Sequence, residues 1–102
     1  MKYFVQINVG NEEGNRMEQE GGPGPTMGRF LEAFQPEAMY MGLDRRAMFM
    51  IADLDETKIA QVMAVASHMG GSYPTLVPVA SVDEFGALFA KAIPGAFAIL
   101  AE

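Results

Sequence analysis

Ala38-Met39-Tyr40-Met41-Gly42-Leu43-Asp44-Arg45-Arg46-Ala47-Met48-Phe49-Met50-Ile51-Ala52 is the stretch that decides how the rest of the chain is read. Two apolar runs flank a polar break at Asp44-Arg45, the pattern of two antiparallel strands and their turn. A short turn centred on that break pairs Met41 with Met48, Met39 with Met50, Tyr40 with Phe49, and Gly42 with Ala47. Side chains alternate along a strand, so the methionines take one face while Tyr40, Phe49 and Ile51 take the other. A strand pair that is apolar on both faces has to be covered on both. Helices of this chain are the expected cover for one face, and a second copy of the chain for the other. The hairpin alone leaves open which set meets the helices.

The size of the chain, 102 residues, fits one domain with a real but small core. Half the residues are apolar and 20% are charged, a globular composition. The net charge of −6, with no basic stripe, argues for solubility and against a phosphate-backbone partner, so nucleic acid is not expected. The cysteine count is 0, which excludes disulfides, thiolate catalysis and zinc–sulfur sites and gives no argument for export. Met1 to Val9 is too short and too polar for a signal peptide or a membrane span. The expectation is a cytoplasmic protein with no membrane partner, metal or cofactor.

Outward from the hairpin, residues 2–9 alternate as a first strand, with Tyr3, Val5, Ile7 and Val9 on one face and Lys2, Phe4, Gln6 and Asn8 on the other. Gly10 to Pro25 reads as a flexible acidic loop ending in Gly21-Gly22-Pro23-Gly24-Pro25, with at most a weak helical turn around Glu12 to Glu20. Its carboxylates read as a solvated surface rather than a cation site. Thr26 is placed to cap a helix with Met27, Phe30, Leu31 and Phe34 on its apolar stripe, and Pro36 stops it. After the hairpin, Asp55 caps a second helix, with Leu54 and Ile59 as a staple and Ile59, Val62, Met63 and Ala66 as its stripe. Gly70-Gly71 ends that helix. Ser72 to Val79 reads as a strand confined to a sheet edge by Pro74 and Pro78. Ser81 and Glu84 form a capping box for a third helix, with Val82, Phe85, Phe89 and Ala92 as its stripe and its end before Pro94. The remaining apolar tail needs a docking surface.

This order is strand, helix, hairpin, helix, strand, then an added helix. It predicts an α+β, ferredoxin-like β-α-β-β-α-β fold: a four-stranded antiparallel sheet with helices on one face, and an extra C-terminal helix. One domain spans residues 1–93, and 94–102 form the tail. The second and fourth strands should be edges. The uncovered sheet face carries too much apolar surface for a lone chain, and a symmetric dimer joining two faces would remove it.

The length, the element order, the opening Met1-Lys2-Tyr3 and the ending Tyr73-Pro74-Thr75-Leu76-Val77-Pro78-Val79 before a helix together resemble the dimeric alpha-beta barrel superfamily. Within it, the pattern over roughly residues 1–93 is similar to small bacterial domains of unknown function and, more distantly, to muconolactone isomerase-like proteins. The resemblance implies a homodimer with a small apolar or aromatic ligand held between sheet and helices. It also implies a choice between ligand binding without catalysis and cofactor-free isomerase or monooxygenase chemistry on a small aromatic, lactone or acid.

Candidate site residues follow from residue chemistry. His68 is the only histidine. It is the one side chain whose ordinary pKa lies near neutrality, which suits a general base. Its place in the last helical turn, away from the buried stripe, favours a surface or capping role instead. Tyr40 is the second acid/base candidate, with Gly42 leaving room beside it. Gln6 and Tyr73 are candidates for orienting a ligand by hydrogen bonds. Arg46, at the turn, can reach a carboxylate of a ligand or partner. The hairpin methionines read as packing rather than a copper(I) site. No P-loop, dinucleotide fingerprint, nucleophile elbow or H-x-x-x-H pair is present.

Overall fold

β1 (Lys2–Asn8) lies inside a four-stranded antiparallel sheet, flanked by β3 (Ala47–Asp53) and β4 (Thr75–Pro78). β2 (Ala38–Met41) pairs with β3 on its far side, giving the order β2-β3-β1-β4. The computed structural model describes residues 1–22 and 24–101. Pro23 of the Gly/Pro run and Glu102 of the tail lie outside the described residues.

The edges are β2 and β4, as the hairpin and the prolines require. The hairpin register is the expected one: Met41 opposite Met48, Tyr40 opposite Phe49, Met39 opposite Met50. The turn is closed by Gly42 N–H donating to the Ala47 carbonyl at 2.8 Å. The space expected beside Gly42 is absent, because a Cβ there would meet the Arg45 carbonyl oxygen at 2.5 Å.

The methionine face is the one the helices cover. Val5 and Ile7 of β1 stand opposite Met50 and Met48 of β3, and all four are buried. Phe30 and Phe34 of α2 (Pro25–Phe34), and Val62 and Ala66 of α3 (Glu56–Gly70), complete the same cluster. Burying each large side chain contributes roughly 1.5–3 kcal/mol. Asp55 caps α3 by accepting from Lys58 N–H at 2.8 Å, with Leu54 buried beside it.

Three local expectations are corrected. The acidic segment is not a loop throughout: Asn11–Glu20 form a full helix, α1, where at most a weak turn is expected. Arg16 bridges Glu13 one turn back and Glu20 one turn on, Met17 packs on the core, and Glu12 and Glu13 favour the helix N-terminus. Thr26 does not cap α2. The N-cap is Gly24, two residues earlier, with Pro25 in the first turn, where its missing N–H costs nothing. The last helix does not end before Pro94: α4 (Val82–Leu100) runs through it. Proline removes one backbone hydrogen bond there and crowds the preceding turn, yet the helix continues along one apolar face to Leu100.

Candidate functional site

The face away from the helices is built by alternation. Phe4 and Gln6 of β1, Phe49 and Ile51 of β3, Tyr40 of β2, and Thr75 and Val77 of β4 all project to it. The pairings align them in two rows across the sheet. One row is Thr75–Gln6–Phe49–Tyr40, and the next is Val77–Phe4–Ile51–Ala38. The Phe4 and Phe49 rings meet with centroids 6.0 Å apart, tilted by 32°. Phe4, Gln6, Phe49 and Ile51 are partly buried by their neighbours, whereas Tyr40 is 66% exposed.

Polar groups sit around this aromatic centre. Gln6 Nε2 donates to Asn8 Oδ1 at 3.2 Å, which orients the amide along β1. Lys2 and Asp53 stand opposite each other at the far end of the face. Lys2 is 2.8 Å from Glu37, whose hydrogen bond and negative charge raise its pKa. Asp53 is 2.8 Å from the Met1 amino group, whose hydrogen bond and charge lower its carboxyl pKa. The lysine and carboxylate charges of this face are therefore paired and held at one end. The middle offers two π-surfaces, an amide and a phenol, a lining suited to a small apolar or aromatic ligand carrying a polar group. No family model, curated protein or solved structure matches this chain.

The fold brings Gln6 and Tyr40 together in one row, on either side of Phe49. The other candidates lie elsewhere. His68 is exposed near the end of α3, in an open hollow shared with Glu12, Glu13 and Arg16 of α1. Tyr73 precedes β4 and is exposed. Arg46 serves its own chain: its guanidinium donates to the Asn11 carbonyl at 3.1 Å, to Asn15 Oδ1 at 3.0 Å and to Glu18 Oε1 at 2.9 Å. Among the described residues, no group of three or more His, Cys, Asp or Glu side chains comes together to hold a metal ion.

The layer between sheet and helices, where the resemblance implies a ligand, is filled with side chains. Met17, Met27, Phe30, Met48 and Met69 leave a void of only about 10 Å³. A hollow of about 140 Å³ opens at the hairpin turn, between Met17, Met41 and Arg46. The outer groove between α2 and α3, about 490 Å³, is lined by Phe30, Phe34 and Val65 with Arg29 and Lys58 at its margin. Phe4, Thr75 and Val77 belong to the sheet face away from the helices although their residue types alone do not single them out. Alternation already places Phe4 beside Gln6, but only the pairing of β1 with β3 and β4 sets these residues against Phe49.

Proposed function

We propose that this chain acts as a cytoplasmic homodimer in which two open sheet faces meet and enclose a site for a small hydrophobic ligand, with binding rather than turnover as its role. On this reading it is a member of the dimeric alpha-beta barrel superfamily. The observation that carries the proposal is the Phe4–Phe49 pair at the centre of a sheet face that no helix covers. Water against such a face is costly, and a second copy removes it by symmetry. Gln6 and Tyr40 then become the polar groups of an otherwise apolar cavity. Binding is favoured over catalysis because the one histidine is not on this face and its lysine and aspartate charges are paired.

Native mass spectrometry of the gently purified full chain tests this. The expected result is an ion at twice the 11.1 kDa chain mass that carries a small co-purified molecule and loses it on activation. Monomer without adducts at every concentration would overturn the proposal.

One observation favours a second reading, a cofactor-free isomerase or monooxygenase-like enzyme. Gln6 and Tyr40 flank one aromatic ring in a single row, so an amide and a phenol can grip the same substrate. Turnover of a small lactone or aromatic acid that is lost in Tyr40→Phe would support it. Turnover unchanged in that variant would remove Tyr40 from the chemistry.

A further inference from the structure

α4 buries none of its residues, unlike α1, α2 and α3. It is nevertheless amphipathic. At 3.6 residues per turn, Val82, Phe85, Phe89, Ile93, Phe97 and Leu100 fall within an arc of about 120°. The charged residues Asp83, Glu84 and Lys91 fall outside that arc. Phe85 and Phe89 stack at 5.2 Å, and both are more than half exposed. The helix also carries Gly86, Pro94 and Gly95 inside it. Interior glycine costs about 1 kcal/mol and proline about 3 kcal/mol relative to alanine, too much for a helix of this length to stand by itself in water. Its sequence therefore requires a surface to lie on.

That surface is not its own sheet. Val79 N–H donates to the Lys2 carbonyl at 2.9 Å, and Ser81 Oγ caps α4 by accepting from Glu84 N–H at 3.1 Å. Only Ala80 separates these two anchors, so the exit direction of the helix is set. α4 stands off the domain, and the chain with α4 included measures 60 Å along its longest axis against 28 and 25 Å along the others.

Area indicates what it meets. Two strands of seven residues and two of four present roughly 350 Å² at the usual strand spacing and rise. Stable interfaces bury about 800 Å² per partner. An apolar stripe along α4, about 28 Å long and about 10 Å wide, supplies roughly 280 Å² more and brings the total to roughly 630 Å², inside the span of about 600–1,000 Å² per partner that stable interfaces cover.

We infer that α4 is an exchange arm. In the two-chain assembly each α4 lies on the other protomer and extends the apolar interface begun by the open sheet face. The inference rests on the sheet-to-sheet dimer proposed above.

The test uses the full chain. Sedimentation velocity across a dilution series compares the wild type with Phe85→Asp/Phe89→Asp, whose core should stay folded because α4 contributes nothing to it; retained far-UV circular dichroism checks this. The expected result is a dimer whose dissociation constant rises by about 100-fold or more in the variant, as for loss of two interface anchors. In a second measurement, a photoreactive phenylalanine analogue is placed at position 97. The expected product is a covalent dimer joining position 97 to the other chain. An unchanged dissociation constant, or crosslinks within one chain only, would overturn the exchange arm and leave the sheet-to-sheet dimer standing. A wild-type chain that stays monomeric would overturn both.

Discussion

Gly70, the last residue of α3, is pressed against the end of β1: a side-chain methyl at this position would overlap the carbonyl oxygen of Asn8. The neighbouring Gly10 N–H donates to the Met69 carbonyl at 3.1 Å, so the strand and the helix are tied at the same point. Both sides of the contact are backbone, and neither can swing away. Gly70→Ala is therefore expected to destabilise the fold by about 1–3 kcal/mol, the usual cost of overpacking, despite the better helix propensity of alanine. Chemical denaturation measures it. A variant as stable as the wild type would show that α3 is free to shift away from β1.

Arg46 crosses α1 at Gly14, where a Cβ would meet its guanidinium at 2.6 Å, and ends on Asn15 and Glu18. This is how a hairpin-turn arginine holds an otherwise polar helix in place. Arg46→Ala is expected to raise amide hydrogen exchange across residues 11–20 while the β1 and β3 amides keep their protection. The global loss should be about 1 kcal/mol or less, since the ion pair is solvent-exposed. Uniform loss of protection, or none, would contradict this role.

Met50 is buried opposite Val5 and Met39 at the centre of the helix-covered face. Met50→Ala is expected to cost about 2–5 kcal/mol, the transfer term plus the cavity. The fully exposed Leu43 is the control, and Leu43→Ala should stay within about 0.5 kcal/mol of wild type. Similar losses for both would mean that the methionine face is not the core.

Asp44 accepts two hydrogen bonds from Arg45, at 2.9 and 2.8 Å, and the guanidinium holds its carboxyl below the usual carboxylate range. A carboxyl pKa lowered by folding contributes stability that is present above the unfolded-state value, about 3.9 for Asp, and lost as pH falls through the folded one. An NMR titration of the Asp44 carboxyl carbon is expected to give a midpoint below the ordinary range, returning to it in Arg45→Ala. A midpoint that ignores the substitution would remove Arg45 as the cause.

The hairpin was legible because alternation and turn chemistry agree there: Met41–Met48, Tyr40–Phe49 and Met39–Met50 pair as the sequence requires. The caps at Asp55 and Ser81 were legible for a local reason, each side chain bonding a backbone N–H three residues on. α1 was not, because its support is tertiary. Nothing near Glu12 or Gly14 in sequence announces that Arg46, some thirty positions later, lies across them. The course of α4 through Pro94 was hidden for another reason, since a proline's cost is local and the gain from an apolar face is not. Of the candidate site, Gln6 and Tyr40 were legible one at a time. Their alignment about Phe49 came only with the strand order.

The most direct test is sedimentation equilibrium of the unmodified full chain from micromolar to millimolar concentration. The expected species at the upper end has twice the 11.1 kDa chain mass and dissociates on dilution, with Phe49→Lys shifting the balance to monomer. A mass of 11.1 kDa throughout would contradict it, since the aromatic sheet face would then stand in water without a partner.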